Sequence, residues 1–181
     1  MSFSNPNGEV LTQPRTQSQL RSALDAAERN PGGLATRVTT LETNILLKSE
    51  GVTVKTNNNA SPIVICSPVY SDGSTTVDLA RANAVGTSRV LGLVASTSIS
   101  ASATGNIVVD GLFTATTAQW DAVTGQSGGL TAGSLYYLSA ATAGRLTTTP
   151  PSGSGEVIQP VGEATSTVEF KFHPTTSILL R

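Results

Sequence analysis

The segment GQSGG at residues 125–129 places Ser127 between glycines, and the chain's single histidine, His173, follows it. A Gly-x-Ser-x-Gly turn can expose a serine hydroxyl, and a histidine can take its proton when an acid orients the ring. Candidate acids between the two are Glu156, Glu163 and Glu169. The order serine, acid, histidine is that of an α/β-hydrolase, so serine hydrolysis is one hypothesis for this chain.

The segments on either side of Ser127 argue against that chemistry. A hydrolase serine follows a buried strand and precedes a helix, whereas here WDAVT precedes the glycines and a predicted strand, within LTAGSLYYLS, follows them. The loop also resembles GDSGG of trypsin-like proteases, but in those enzymes the histidine precedes the serine, and Gln126 stands here in place of the aspartate. We therefore interpret GQSGG as an exposed, catalytically inert turn.

Charge and composition narrow the classes of partner. The 181 residues carry a formal net charge of −1, and 13% of them are charged. No basic run is dense enough to follow a phosphate backbone, so we expect no nucleic-acid partner. Histidine, cysteine and acidic residues are sparse after residue 90, and we expect no catalytic residue, metal site or cofactor.

The single cysteine, Cys66, excludes an internal disulfide, and its apolar neighbours in IVIC predict that it is buried. The first residues, MSFSNPNGEV, lack the basic and apolar regions of a secretory signal, and no apolar run reaches membrane-spanning length. We therefore expect no membrane partner and synthesis in the cytoplasm.

The first fifty residues divide into an arm and a helical segment. Residues 1–15 are polar, contain proline and lack periodicity, which predicts an extended arm. In residues 16–50, Thr16 and Gln19 fit a capping box at the start of TQSQLRSALDAAERN. That first helix is expected to end at Asn30, before Pro31.

A second amphipathic stretch, LATRVTTLETNILLK, carries a narrow apolar stripe. Its apolar residues alternate at spacings of four and three, as in a coiled coil, at Leu34, Val38, Leu41 and Ile45. A stripe this narrow needs either other copies of the chain or the body of its own subunit to cover it. We favour an oligomer interface, in which a trimeric β-domain holds three such helices together.

After residue 50 the spacing of apolar residues changes from helical to alternating, as in β-strands. Residues 51–181 are therefore predicted to form one β-rich domain. Turn-forming clusters separate segments rich in β-branched and aromatic residues, which are 52–55, 63–66, 90–95, 106–113, 135–139, 144–149, 156–164 and 167–172. The fold class predicted is mainly β, an antiparallel sandwich or barrel. Two helical islands are expected within it, TVDLARANA and TTAQWDAVT.

The sequence predicts the side-chain orientation or burial of three aromatic residues in this domain. Tyr136 and Tyr137 are adjacent in a predicted strand, so their side chains should face opposite sides of the sheet. Trp120 is expected to fill the core rather than to stack on a sugar, because a carbohydrate-binding surface would show several exposed aromatics and only 4% of this chain is aromatic.

A series of short patterns runs through residues 67–173, namely a PVY strand, a VLGLV strand, a DG hairpin, a Trp-Asp segment, and the patterns GLTAG-x-x-YYLS, G-x-L-T-x-x-P-P and VG-x-A-x-S. With these patterns the segment resembles a module of virion proteins of tailed bacteriophages. Proteins of this type serve as capsid decoration or cement proteins, head fibres and parts of tail fibres or baseplates. The resemblance implies an architecture and brings no active site with it.

The leading functional hypothesis is a non-enzymatic homotrimer that decorates and cements a phage head by binding the major capsid protein at the capsid surface. Capsid lattices present local threefold axes that a trimer can match. The alternative is a tail-fibre, baseplate or receptor-binding component, and the serine hydrolase is a third hypothesis. The number of copies per particle separates the first two.

Overall fold

A computed structural model describes residues 51–181, which belong to one compact unit and form a mainly β fold. The predicted arm, 1–15, and the helical segment, 16–50, lie outside the described residues, and so does the proposed interface of Leu34, Val38, Leu41 and Ile45. The fold class predicted from the sequence is confirmed for the described part of the chain.

The described elements are fourteen strands and two short helices. In chain order the strands are β1 (Val52–Asn57), β2 (Ile63–Val64), β3 (Pro68–Ser71), β4 (Thr76–Leu79), β5 (Val90–Val94), β6 (Ser98–Ile99), β7 (Thr104–Val108), β8 (Gly111–Thr114), β9 (Leu135–Leu138), β10 (Leu146–Thr147), β11 (Val157–Ile158), β12 (Pro160–Ala164), β13 (Glu169–Phe172) and β14 (Ile178–Leu179). The helices are α1 (Val85–Ser88) and α2 (Thr117–Thr124).

Five strands close into a small barrel in the order β1-β4-β3-β5-β7, with β7 pairing back onto β1. Its pairs are antiparallel except β1 with β4, which is parallel. Branched side chains fill the interior, namely Ile63, Val69, Val77, Val94, Ile99 and Ile107. At Gly92 of β5 a Cβ atom would collide with the carbonyl oxygen of Val108 on β7, so this position in VLGLV needs glycine for the two strands to approach.

A second, antiparallel sheet has the order β10-β9-β12-β13-β8 and packs against the outside of the barrel. An aromatic cluster forms the centre of this second core. Trp120 lies with its ring centroid 5.8 Å from Phe113 and 5.5 Å from Phe170, and Tyr136 lies 5.9 Å from Phe170. Leu93 of the barrel joins the same cluster, so one continuous apolar layer links barrel and sheet.

Helix α2 carries Trp120 into this core, as the sequence predicted. Thr116 and Gln119 form a reciprocal capping box at its start, and Gly125 ends it in the left-handed conformation with φ 69°. The indole Nε1 of the fully buried Trp120 donates a hydrogen bond of 3.0 Å to the carbonyl of Val168. The helix is thereby fixed to the turn that precedes β13.

Two local predictions were wrong. TVDLARANA is not helical, because Thr76–Leu79 forms barrel strand β4, with Val77 buried inside the barrel between partners on β3 and β1. The DG segment at residues 110–111 does not form a hairpin, because β7 belongs to the barrel and β8 to the second sheet. Asp110 and Gly111 instead mark the point where the chain crosses from one sheet to the other.

Candidate functional site

The loop that contains GQSGG is held by side chains of helix α2 and strand β9. The carboxylate of Asp121 accepts hydrogen bonds from the backbone N–H of Gly128, at 3.1 Å, and of Gly129, at 2.7 Å. The hydroxyl of Tyr136 donates to Gln126 Oε1 at 2.6 Å and accepts from the Thr131 N–H at 2.8 Å. These four bonds make the loop a supported structural turn.

Ser127 and His173 are both exposed, and the end of the loop that contains Ser127 lies at the opposite end of β13 from His173. The Leu130 N–H, just after the glycines, donates to the carbonyl of Thr167 before β13 begins, at 2.9 Å. His173 follows the last residue of β13, Phe172. Four extended residues span about 13 Å, which is far beyond hydrogen-bond reach.

Two of the three candidate acids are engaged elsewhere. Glu156 Oε2 accepts from the backbone N–H of Ser152 and Gly153, and Glu169 Oε1 accepts from the Thr165 hydroxyl at 2.6 Å. Glu163 is exposed on β12. The structure therefore does not assemble the serine, acid and histidine into a triad.

Cys66 is fully buried, as predicted, and its backbone adopts φ 67°. Burial raises the pKa of its thiol from 9.0 to about 12, because a thiolate would lose its hydration in this apolar setting. The thiol is therefore protonated at neutral pH and packs as a small apolar group.

Buried polar groups serve the fold. Asn57 is fully buried, and its Nδ2 donates to the carbonyls of Ser61 and Ile99 while its Oδ1 accepts from the Asn59 N–H. Across residues 51–181 every buried side-chain nitrogen or oxygen has a hydrogen-bond partner. Polar side chains buried in this region thus hold turns and strand ends.

Neither a metal cluster nor a long apolar helix occurs in the part of the chain that the structure describes. Within residues 51–181, histidine, cysteine and acidic side chains do not gather in groups of three or more that could hold a metal ion. Neither of the two helices in that range has the length and hydropathy needed to cross a bilayer.

The most distinctive surface is the outward face of the five-stranded sheet. Leu135 on β9 is opposite Glu163 on β12, Glu163 is opposite Lys171 on β13, and Lys171 is opposite Leu112 on β8. Residues directly opposite in an antiparallel sheet share a face. All four are exposed, Leu112 at 61% and Leu135 at 44%, and we call them the outer row.

Two further features leave backbone or apolar groups accessible. Strand β8 ends the sheet order and pairs on one side, with β13. Strand β14 pairs with β11, and its Ile178 and Leu179 are 58% and 46% exposed.

Sequence reasoning did not single out the outer row, because its register depends on which strands pair. The alternation in EFKF was the available local signal, since it predicts that Lys171 and Glu169 share the wet face.

No protein-family model matches the chain, and no curated protein matches it either.

Proposed function

We propose that this chain is a non-enzymatic structural protein of a tailed-phage particle, a homotrimer that binds the major capsid protein and stabilises the head. The proposal starts from the resemblance of residues 67–173 to virion modules. Residues 1–15 act as an arm that orders on the shell, and Leu34, Val38, Leu41 and Ile45 contribute to the trimer contact.

The observation that carries the proposal is the position of the residues in the resembling motifs. Trp120 and Tyr136 face the core, and Asp121 supports the glycine loop. Gly92 allows two barrel strands to approach. These side chains maintain the scaffold of the domain, which fits the structural role proposed.

Symmetry supports a trimer in this role. A capsid lattice has local threefold axes, so a trimer on such an axis contacts three neighbouring subunits in the same way.

The first experiment counts copies on purified particles. Heads and tails are separated, and the chain is quantified against the major capsid protein by mass spectrometry with isotope-labelled peptides. Decoration requires a number of chains on heads close to three times the number of threefold positions, because each position would hold one trimer. A few copies found only on tails would contradict it and would support the fibre, baseplate or receptor-binding alternative.

The second experiment tests the arm. Deleting residues 1–30 removes a polar segment with few large apolar residues, so the β-domain should fold with little loss of stability. The shortened protein should fail to bind heads that lack the chain, and those heads should remain sensitive to heat and osmotic shock. Binding as tight as that of the full chain would place the anchor in the β-domain.

A further inference from the structure

We propose that the outer row is a twofold contact site, at which the five-stranded sheet of one copy packs face to face against the same sheet of a second copy. The row, Leu135, Glu163, Lys171 and Leu112, crosses four neighbouring strands in the order β9-β12-β13-β8. Its two ends are apolar and its two central positions carry opposite charges.

The residues around the row establish which face is outward. Tyr136, Phe170 and Phe113 lie next to row residues along their strands, and all three are buried in the core between sheet and barrel. Successive side chains in a strand point to opposite faces. The row therefore projects away from the body of its own domain, onto a surface that a second copy can reach.

The charge pattern selects one symmetry for the contact. A twofold axis that runs along the strands reverses the order of the row, so Glu163 of one copy meets Lys171 of the other, and Leu135 meets Leu112. An axis that runs across the strands would instead place each residue against itself, with Glu163 facing Glu163. Like charges in contact are unfavourable, so the first arrangement is the one the row favours.

The contact is small, and this defines when it forms. Three strand spacings of about 4.8 Å and four residues of about 3.3 Å give a face on the order of 200 Å² per copy. Stable interfaces bury about 800 Å² per partner. The contact is therefore weak between free molecules and becomes populated where copies are held close together, as on a crowded lattice.

The inference does not depend on the capsid role or on the trimer. Sedimentation of the full-length protein over a concentration series from about 10 µM to 1 mM should show reversible association whose first step doubles whatever mass the protein has when dilute; a trimer, which carries three outer rows, can associate beyond that step. The dilute mass reports on the trimer, and the doubling reports on the outer row, so the two hypotheses fail separately.

Charge variants distinguish contact between copies from pairing within one chain. Glu163→Lys leaves two positive side chains at the centre of the row, and Lys171→Glu leaves two negative ones. Each variant alone should need a concentration at least about tenfold higher for doubling, because like charges then face each other. An equimolar mixture of the two variants should restore doubling, because each positive centre then faces a negative one.

In the mixture, the pairing of positions 163 and 171 within each chain is still disrupted. Restored doubling can therefore come only from contact between copies. Arg89→Glu makes the same change of charge as Lys171→Glu, at an exposed position outside the sheet, and should leave doubling unchanged. Leu112→Asn should weaken doubling without reversing a charge. Thermal unfolding of each variant verifies that it is folded. Absence of doubling in the wild type, or failure of the mixture to exceed either variant alone, overturns the proposal.

Discussion

The hydroxyl of Tyr136 joins two parts of the loop that precedes its own strand, and its removal tests the structural interpretation of GQSGG. Tyr136→Phe keeps the ring and therefore its edge contact with Phe170. It removes the donor to Gln126 Oε1, at 2.6 Å, and the acceptor for the Thr131 N–H, at 2.8 Å. The substitution thus isolates two hydrogen bonds from the packing of the aromatic cluster.

The expected loss follows from the exposure of the groups left behind. A neutral hydrogen bond contributes about 1 kcal/mol net, and a buried group left without a partner costs about 1–3 kcal/mol. Thr131 is exposed and Gln126 is half-buried, so water can replace part of what is lost. We therefore expect the free energy of unfolding to fall by about 2 kcal/mol, which lowers the melting temperature of a domain of this size by about 5–10 °C.

Trp120 provides the assay. It is the single tryptophan of the chain and is fully buried beside the same cluster, so its fluorescence reports the unfolding of this core. Urea titration should show a midpoint about 1 M lower for Tyr136→Phe. Tyr137→Phe is the matched control, because Tyr137 is the next residue, half-buried on the opposite side of β9, and its midpoint should move little.

Equal midpoints for the two variants would refute the reasoning. The hydroxyl of Tyr136 would then contribute no more than an ordinary surface hydroxyl, and the glycine loop would not depend on it. The claim that the YYLS motif stabilises the fold through this hydroxyl would then be wrong.

Three other predictions concern single side chains. Ser127→Ala should change the free energy of unfolding by no more than about 0.5 kcal/mol, because the residue is exposed in a loop, and loss of a measurable esterase activity on this change would contradict the structural interpretation. Burial raises the pKa of Cys66 from 9.0 to about 12, so the unfolded chain releases the thiol proton first and the stability present below pH 9 is lost as pH rises toward 12. Between pH 8 and pH 10.5 the urea midpoint should therefore fall less for Cys66→Ala than for the wild type. Equal falls would refute the raised pKa of the Cys66 thiol. Leu41→Asp places a charge in the predicted helical seam, at a cost of several kcal/mol if it is buried. Sedimentation should then show weakening of the proposed trimer, whereas an unchanged mass would mean that the segment packs within its own subunit.

Features whose signals are local in the chain could be predicted from the sequence. TTAQWDAVT becomes helix α2, because a capping box at its start and a left-handed glycine at its end satisfy the backbone without help from distant residues. The opposite orientations of Tyr136 and Tyr137 follow from the period of a strand, and the burial of Cys66 follows from its apolar neighbours. The change to strand periodicity after residue 50 was sufficient to predict a mainly β domain.

The tertiary structure overruled local patterns where pairing partners lie far apart in the chain. TVDLARANA has residues that suit a helix, yet Val77 enters the barrel because β1 and β3 supply hydrogen-bond partners on both sides. Asp-Gly is a frequent hairpin turn, yet β8 continues into a different sheet, where β13 is its partner. Propensity is a weak signal, and the burial of side chains between sheets outweighs it.

The candidate surface shows the same division most clearly. The sequence determined that Glu163 and Lys171 would be polar positions in strands and that Leu112 and Leu135 would be apolar ones. Only the pairing of β9, β12, β13 and β8 decided that the four lie in one row on one exposed face. A shift of one residue in any of these registers would turn a row side chain into the core. The row therefore exists because the buried aromatic residues next to it along these strands fix their register.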